Sequence, residues 1–115
     1  MSEPTLFEKI AAGEIPSDKV HEDEHVYAFR DIKPEAPTHV LVIPRRPIPS
    51  LAAADAGDQE LLGHLMLSIA KIATQEGLDD EGYRVVTNVG AHGGQTVFHL
   101  HFHLLGGRAL SWPPG

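Results

Sequence analysis

The sequence contains no cysteine and few basic residues, and each of these scarcities excludes a class of function. Without cysteine, the 115-residue chain cannot use disulfides, a thiolate nucleophile or cysteine-ligated zinc. Its 16 acidic residues outnumber its 9 basic residues, and the formal net charge is -7. Such a balance disfavours nonspecific binding to long nucleic acids or to an anionic membrane.

The sequence also predicts neither a membrane segment nor an export segment. No stretch approaches the roughly 18 consecutive apolar residues of a membrane-spanning helix. The first residues, Met1 to Pro4, do not have the charged-then-apolar pattern of a signal peptide. We therefore expect a cytoplasmic protein.

The chain does contain enough apolar sequence for one folded domain. Hydrophobic residues make up 42% of the chain and charged residues 22%, which suits a globular core. We expect a single domain over residues 1–115, with a core over about 5–105 and a C-terminal tail over 106–115. Eight histidines are the most unusual feature of the composition, because three of them fall within five residues.

Proline and glycine divide the chain into short elements in an α+β order. Thr5 and Glu8 form the pattern of a capping box, which predicts a helix ending near Ala12. Strands are not separated by regular crossover helices, so we predict a mostly antiparallel five-stranded sheet with two main helices. The predicted strands are 19–22, 26–30, 39–43, 83–88 and 96–105, and the long helix is 58–76.

The long helix carries more apolar surface than one sheet requires. At 100° per residue its apolar side chains spread over about 180°, whereas one packing face needs only about 100°. A homodimer contact is our preferred explanation for the excess, and a broad intramolecular contact is the alternative.

Histidine alternates with apolar residues between Phe98 and Leu104. A strand alternates its side chains between two faces, so His99, His101 and His103 should project from one face. We expect the other row to pack on the core and the imidazole row to line a polar cleft. The apolar row consists of Phe98, Leu100, Phe102 and Leu104.

Two kinds of chemistry suit the histidine row. A His-x-His pair can supply two zinc ligands, with His39 as a third, although no carboxylate follows the row within the strand or the next turn. Alternatively, one neutral imidazole acts as a nucleophile. If the other ring N–H of His101 bonds a backbone carbonyl, its free nitrogen points outward, and His103 can contact a phosphate or the leaving group.

The loop before the histidines has the composition of an anion-binding turn. Gly93 and Gly94 permit a close approach of the backbone, and Gln95 and Thr96 supply side-chain donors. Most Gly-Gly pairs form only tight turns, so this observation supports the nucleophile hypothesis without deciding it.

The seven residues from His99 to Leu105 resemble the signature of the histidine triad (HIT) superfamily, in which three histidines are separated by apolar residues. The chain further resembles the histidine triad nucleotide-binding (Hint) branch from about Thr5 to Gly115. Thr96 stands where that branch more often has serine. The third histidine is intact, whereas nucleotidyl-transferring relatives carry glutamine there. The matching segments are 6–10, 13–16, 29–32, 36–44, 93–96 and 105–115.

This resemblance implies a HIT-like fold whose sheet continues across a homodimer. It also implies hydrolysis of the P–N bond of purine nucleoside 5′-phosphoramidates, such as adenosine 5′-monophosphoramidate. His101 would attack the α-phosphorus and form a covalent nucleotidyl-histidine that water then cleaves. His103 would contact the phosphate and assist the leaving group, with His99 and His39 in support. The implied partner is a purine mononucleotide or phosphoramidate, with no cofactor or metal.

The resemblance also implies a set of binding residues. Asp31 and Ile32 would hold the ribose, and Trp112 would reach the site of the neighbouring subunit. The phosphate would be bound by Asn88, Gly94, Gln95 and Thr96. The base pocket would be formed by Phe7, Ile10, Ile15 and Phe29. Each residue also has a plainer interpretation: the four apolar side chains suit the core, Asp31 and Asn88 suit turns, and Trp112 suits surface packing.

Other functions remain open at this point. A dinucleoside polyphosphate hydrolase of a neighbouring HIT branch is one, although the short chain and its Trp112–Gly115 end count against it. A nucleotide-binding or scaffolding protein with incidental catalysis is a second, and a metal-dependent hydrolase is a third.

Overall fold

The computed structural model describes residues 3–115 and contains a five-stranded antiparallel sheet with two α-helices. The strand order is β1-β2-β3-β5-β4. The strands are β1 (Lys19–Glu22), β2 (Val26–Arg30), β3 (Thr38–Pro44), β4 (Tyr83–Val86) and β5 (Phe102–Gly106). The helices are α1 (Leu6–Ala11) and α2 (Gln59–Gln75). The predicted α+β architecture is confirmed, and neither helix in the described residues is long and apolar enough to cross a membrane.

Helix α1 begins with the predicted capping box. The Glu8 N–H donates to Thr5 Oγ1 at 3.0 Å, and the Thr5 N–H donates to Glu8 Oε1 at 2.9 Å. The helix ends before Gly13, whose φ of 81° is the left-handed conformation that glycine adopts without strain. Its buried side chains are Phe7 and Ile10, which face the sheet.

Strand β3 is apolar on both sides because the sheet is covered on both faces. Helix α2 buries Leu65, Ile69 and Ile72 against one face, in a cluster that includes Val40 and Val42 of β3. On the opposite face, the α1 residues pack with a second cluster. Its sheet members are Tyr27, Phe29, Leu41 and Ile43. The prediction that β3 lies centrally is confirmed.

Part of the apolar surface of α2 stays open. Met66 and Leu67 are 42% and 73% exposed, although their neighbours Leu65 and Ile69 are buried. Met66 belongs to the broad apolar arc and Leu67 lies near the edge of the polar remainder, so the intramolecular explanation does not account for the exposure of Met66. The homodimer explanation stays a prediction.

The fifth strand is shorter than predicted. It begins at Phe102 and not at Thr96, and Phe98, which was assigned to the core, is 63% exposed. The Leu100 N–H donates to the Ile48 carbonyl in a connector and not to a neighbouring strand, at 2.6 Å. Strand β4 pairs with β5, and residues before Phe102 are not part of β5. Strand β4 therefore ends at Val86, two residues before its predicted end.

Candidate active site

His39, His101 and His103 lie together on the α1 side of the sheet. His39 is on β3 and His103 on β5, and the two strands are hydrogen-bonded neighbours. The His39 and His103 ring centres are 5.2 Å apart, and those of His101 and His103 are 5.1 Å apart. Phe7 of α1 packs edge-on against His101 at 5.0 Å. The alternation predicted from the sequence thus holds from His99 to Leu104, even where the strand itself is absent.

His101 makes the hydrogen bond on which the nucleophile hypothesis depends. Its Nδ1 lies 2.7 Å from the carbonyl oxygen of His99, and a carbonyl can only accept, so Nδ1 carries the hydrogen. The neutral ring then has an unprotonated Nε2. The Thr87 hydroxyl donates to the backbone carbonyl of His101 at 2.7 Å, which ties this residue to the end of β4. The result is an oriented imidazole with one free nitrogen.

The tautomers of His39 and His103 follow from a chain of hydrogen bonds. The Glu35 backbone N–H donates to His39 Nδ1 at 3.0 Å, so the hydrogen of a neutral His39 is on Nε2. That Nε2 lies 2.9 Å from His103 Nδ1, which must accept. The hydrogen of neutral His103 is therefore on Nε2, and this residue has an N–H donor left over for a ligand.

His103 is in its neutral form at pH 7. Burial lowers its pKa to about 4, and the neighbouring His101 and His39 act in the same direction. Asp31 opposes the shift through its negative charge, with its Oδ2 at 3.6 Å from His39 Nε2. The expectation that the clustered histidines are mostly neutral is met at this residue.

His99 is fully buried. The prediction that its side chain would line a polar cleft was therefore wrong. Its ring lies between α1 and the end of β3, where His99 Nε2 is 2.7 Å from the Pro44 carbonyl. Its Nδ1 is 2.6 Å from the Thr5 hydroxyl. Burial lowers the pKa of His99, which keeps the ring neutral. The sequence identified Thr5 only as a helix cap, because nothing local connects it to a residue so distant in the chain.

The loop before the histidines is held by Gln95. The amide nitrogen of its buried side chain donates two hydrogen bonds, one to the Pro49 carbonyl at 2.8 Å and one to the Val97 carbonyl at 3.1 Å. Its Oε1 accepts the Gly90 N–H at 2.9 Å. The side chain therefore fastens the loop, and its assignment to the phosphate stays a prediction. Of the other predicted phosphate residues, Gly94 and Thr96 are exposed and Asn88 is half-buried.

Gly93 and Gly94 have separate structural roles. A Cβ at Gly93 would lie 2.5 Å from the Val89 carbonyl oxygen, so the loop requires glycine there. Gly94 has a φ of 78°, the left-handed conformation. The predicted close approach of the backbone is therefore present, although it is an approach to another part of the same loop.

The predicted ribose residues lie at the edge of the histidine cluster. Asp31 Oδ1 accepts the Lys33 N–H at 2.8 Å, so the turn interpretation of Asp31 holds, while its Oδ2 faces His39. Ile32 is 92% exposed, and a ligand is free to cover it. Asp31, His39 and His103 each offer a ligand atom within 4.8 Å of the others, so this group could also hold a metal ion.

The predicted base-pocket residues occupy the α1 face of the core. Phe7, Ile10 and Phe29 are buried in one cluster, and Ile15 packs partly buried against it. Ile10 and Ile15 also line a cavity of about 390 Å³ that opens between α1 and the first two strands. The plain interpretation of these side chains as core therefore holds, and their contact with a base stays a prediction.

The C-terminal tail lies near β4. The guanidinium of Arg84 donates to the Ser111 carbonyl at 2.8 Å and sits 5.8 Å from the centre of the Trp112 ring. Trp112 itself is 79% exposed, so it is open to a further contact. The predicted contact with a neighbouring subunit is untested.

The remaining histidines lie outside this cluster. His25, His64 and His92 are exposed, and His21 is half-buried. His21 and His64 both direct Nε2 at the Oδ2 of Asp23, at 3.1 and 2.8 Å. No local pattern in the sequence indicates that His21 and His64 share one carboxylate.

Together the fold and the site define a class: an antiparallel α+β protein of HIT-like fold with histidines clustered on its central strands. The HIT domain family matches residues 12–110, and the chain belongs to this family.

Similar proteins include a phosphoramidase and a zinc-binding protein. The purine nucleoside phosphoramidase of Escherichia coli strain K12 is 52% identical over 110 residues, which cover 96% of this chain and 92% of that protein. A 14 kDa zinc-binding protein of Zea mays is 54% identical over 114 residues, covering 97% and 88% of the two chains. Among solved structures, a HIT family hydrolase from Legionella pneumophila Philadelphia 1 has a TM-score of 0.95 at 51% identity, covering 96% of this chain and 99% of that chain. The predicted family and fold are therefore confirmed.

Proposed function

We propose that the protein hydrolyses the P–N bond of purine nucleoside 5′-phosphoramidates, of the adenosine 5′-monophosphoramidate type. The observation that carries this proposal is the orientation of His101, whose Nδ1–H bonds the His99 carbonyl at 2.7 Å and leaves Nε2 free. A neutral imidazole with one fixed tautomer is a competent nucleophile. The phosphoramidase activity in the name of the Escherichia coli relative supports the same chemistry.

In the first step, His101 Nε2 attacks the α-phosphorus and forms a phosphorus–nitrogen bond to the ring. The original P–N bond of the substrate breaks, its electron pair leaves with the nitrogen, and that nitrogen takes up a proton from water and departs as ammonia or an amine. His103 is well suited to assist, because its Nε2–H donor can bond a phosphoryl oxygen or the departing nitrogen as charge develops there.

In the second step, water attacks the phosphorus of the nucleotidyl-histidine. The bond to His101 Nε2 breaks and its electron pair returns to the ring, the attacking water gives one proton to solvent, and the nucleoside monophosphate leaves with the ring in its neutral tautomer. The Nδ1–H bond to His99 is unchanged throughout, so the ring has the same orientation in both steps.

The binding residues of this proposal surround the cluster. Asp31 and Ile32 would hold the ribose, since a carboxylate can accept from two vicinal hydroxyls and the exposed Ile32 can pack beside the sugar. Exposed loop backbone at Gly94 and Thr96 would bind the phosphate, with Asn88 beside it and Gln95 acting through the loop. The base would lie against Phe7, Ile10, Ile15 and Phe29.

A homodimer belongs to the same proposal, and the two sheet edges differ in how well they suit it. Strand β1 has a register irregularity, and Lys19 and Glu22 form a salt bridge along it, features that discourage pairing. Strand β4 presents Tyr83 and Val85, 40% and 39% exposed, on a short regular edge. We infer that β4 continues the sheet into a second copy, which would bring Trp112 towards the active site of that copy.

Val85→Asp should then yield monomers in analytical ultracentrifugation, and an unchanged dimer would contradict this edge assignment.

The decisive experiment removes the nucleophile. His101→Ala should lower the release of AMP from adenosine 5′-phosphoramidate by about 10⁴-fold or more, the scale seen when a nucleophile is deleted. His92→Ala is the matched control, since His92 is an exposed histidine of the preceding loop and should have normal turnover. Retained turnover in His101→Ala would remove His101 from the mechanism.

A substrate comparison separates this proposal from its closest alternatives. Turnover of the phosphoramidate should exceed that of a diadenosine polyphosphate under the same conditions. The reverse order would favour the polyphosphate hydrolase, and tight AMP binding without turnover of either substrate would favour a binding protein.

A further inference from the structure

A threonine far from the histidines in sequence touches one of them directly. Thr5 Oγ1 lies 2.6 Å from His99 Nδ1, across a separation of 94 residues. His99 is fully buried, so water does not compete for this contact. Thr5 is also the N-cap of α1, and the same hydroxyl oxygen accepts the Glu8 N–H at 3.0 Å.

The direction of the Thr5–His99 hydrogen bond follows from the other side of the ring. His99 Nε2 lies 2.7 Å from the Pro44 carbonyl, which has no hydrogen to donate, so Nε2 carries the hydrogen of the neutral ring. His99 Nδ1 must then accept, and Thr5 must donate. A hydroxyl has one donor and two acceptor positions, so Thr5 can donate to His99 and cap Glu8 at the same time.

His99 in turn holds the proposed nucleophile through its backbone. The His99 carbonyl accepts the His101 Nδ1–H, so the position of residue 99 sets the tautomer and direction of the His101 ring. Strand β5 begins only at Phe102, so residues 99 and 101 precede it. The side-chain bonds of His99 to Thr5 and Pro44 anchor this segment ahead of the strand.

Helix α1 contacts the same two rings through a second side chain. Phe7 packs edge-on against His99 and His101, with ring centres 5.9 Å and 5.0 Å away. The start of α1 thus touches the histidine pair with one polar and one aromatic group. A shift of the helix start would change both contacts together.

We propose that Thr5 is a positioning residue for His101. Its hydroxyl donates to Nδ1 of the buried His99 ring, whose Nε2–H tautomer the Pro44 carbonyl sets, and this bond fixes the residue whose carbonyl orients the nucleophile. Thr5 does not touch the substrate, and its effect passes through His99. The catalytic part of this inference rests on the proposed function, whereas the hydrogen bond itself does not.

Three variants separate positioning from helix capping. Thr5→Val keeps the shape of the side chain but removes the donor and the cap. Thr5→Ser keeps both. Glu8→Ala removes the reciprocal capping bond to the Thr5 N–H while leaving the hydroxyl in place, so it is the control for a weakened helix start.

For Thr5→Val we expect kcat for the phosphoramidate to fall about tenfold, with KM changed by less than about twofold, because a misdirected nucleophile slows chemistry more than binding. Thr5→Ser should restore kcat, and Glu8→Ala should lower the melting temperature with a normal kcat. A normal kcat in Thr5→Val, or a loss in Glu8→Ala equal to that in Thr5→Val, would overturn the proposal.

A spectroscopic measurement tests the same bond without any substrate. In ¹⁵N-labelled protein, His99 should show an unprotonated Nδ1 and a protonated Nε2. Thr5→Val should shift the Nδ1 resonance because its hydrogen bond is lost, while Nε2 stays protonated by its bond to the Pro44 carbonyl. A protonated Nδ1 in the unmodified protein, or an unchanged Nδ1 resonance in Thr5→Val, would contradict the inference. If the unmodified protein hydrolysed no phosphoramidate, the proposed function would fail, and the ¹⁵N measurement would still decide whether Thr5 holds His99.

Discussion

The two faces of the sheet bury different kinds of side chain. Under α2 the core is almost entirely aliphatic, with Val40, Leu65 and Leu104 completely buried. Under α1, aromatic rings pack against imidazoles, and the buried histidines reach carbonyls, a hydroxyl and one another. In the described residues no buried side-chain polar atom is left without a hydrogen-bond partner. The comparison teaches that one face can supply stability while the other holds oriented polar groups, because a central strand presents alternate side chains to each.

The sharpest test of this division uses two adjacent residues of β5 that point to opposite faces. His103→Ala should lower kcat by about 10²- to 10³-fold, because the Nε2–H donor is lost. Leu104→Ala should instead lower the free energy of unfolding by about 2–5 kcal/mol, because it leaves a cavity beneath α2, with a normal kcat for the folded fraction. Steady-state kinetics and urea denaturation of both variants check this. Equal effects of both variants on stability and activity would contradict the division.

Lowering the pH should have a smaller effect, a decrease in the free energy of unfolding. The folded-state pKa of His103 is about 4, below the unfolded value of about 6.5, and that of His99 is also lowered. Unfolded chains therefore bind more protons than folded ones as pH falls below 6.5. The stabilisation from His103 is complete above about pH 6.5 and is lost progressively down to about pH 4, by on the order of 2–3 kcal/mol.

The measurement is the free energy of unfolding between pH 7 and pH 4, in the unmodified protein and in His103→Asn. The variant should show a shallower decline because it lacks one of the neutral buried histidines. Identical slopes would mean that the pKa of His103 is not lowered in the folded protein.

The smallest expected effect is that of metal removal. Asp31, His39 and His103 could hold an ion, but a nucleophilic mechanism through His101 does not require one. Exhaustive chelation should change phosphoramidate turnover by less than about twofold. If chelation abolished turnover and added Zn²⁺ restored it, the reaction would depend on a metal ion and not on the free imidazole of His101 alone.

Local sequence patterns predicted most of the elements but not all of their lengths. The capping box, the central β3 and the long α2 were correctly predicted, because each depends on neighbouring residues or on a simple period. Phe98 was misassigned because strict alternation extended β5 upstream of Phe102. The actual chain path there follows the Leu100 bond to Ile48 and the three bonds of Gln95, which connect distant segments.

The candidate site divides in the same way. His99, His101 and His103 were recognisable as one row from spacing alone, and the carbonyl bond to His101 Nδ1 was a condition of the nucleophile hypothesis. The burial of His99 and its bond to Thr5 were not expected, because a cap and a histidine in distant parts of the chain meet only when α1 packs on the sheet.

By itself, the sequence determined the absence of thiol chemistry, the acidic character, the period-two histidine row and the elements that surround it. These properties depend on composition and on neighbours along the chain. Only the tertiary structure decided which nitrogen of each imidazole carries the hydrogen. That choice depends on what each ring nitrogen faces: the Pro44 and His99 carbonyls, the Glu35 N–H and the Thr5 hydroxyl, all brought to the rings by packing.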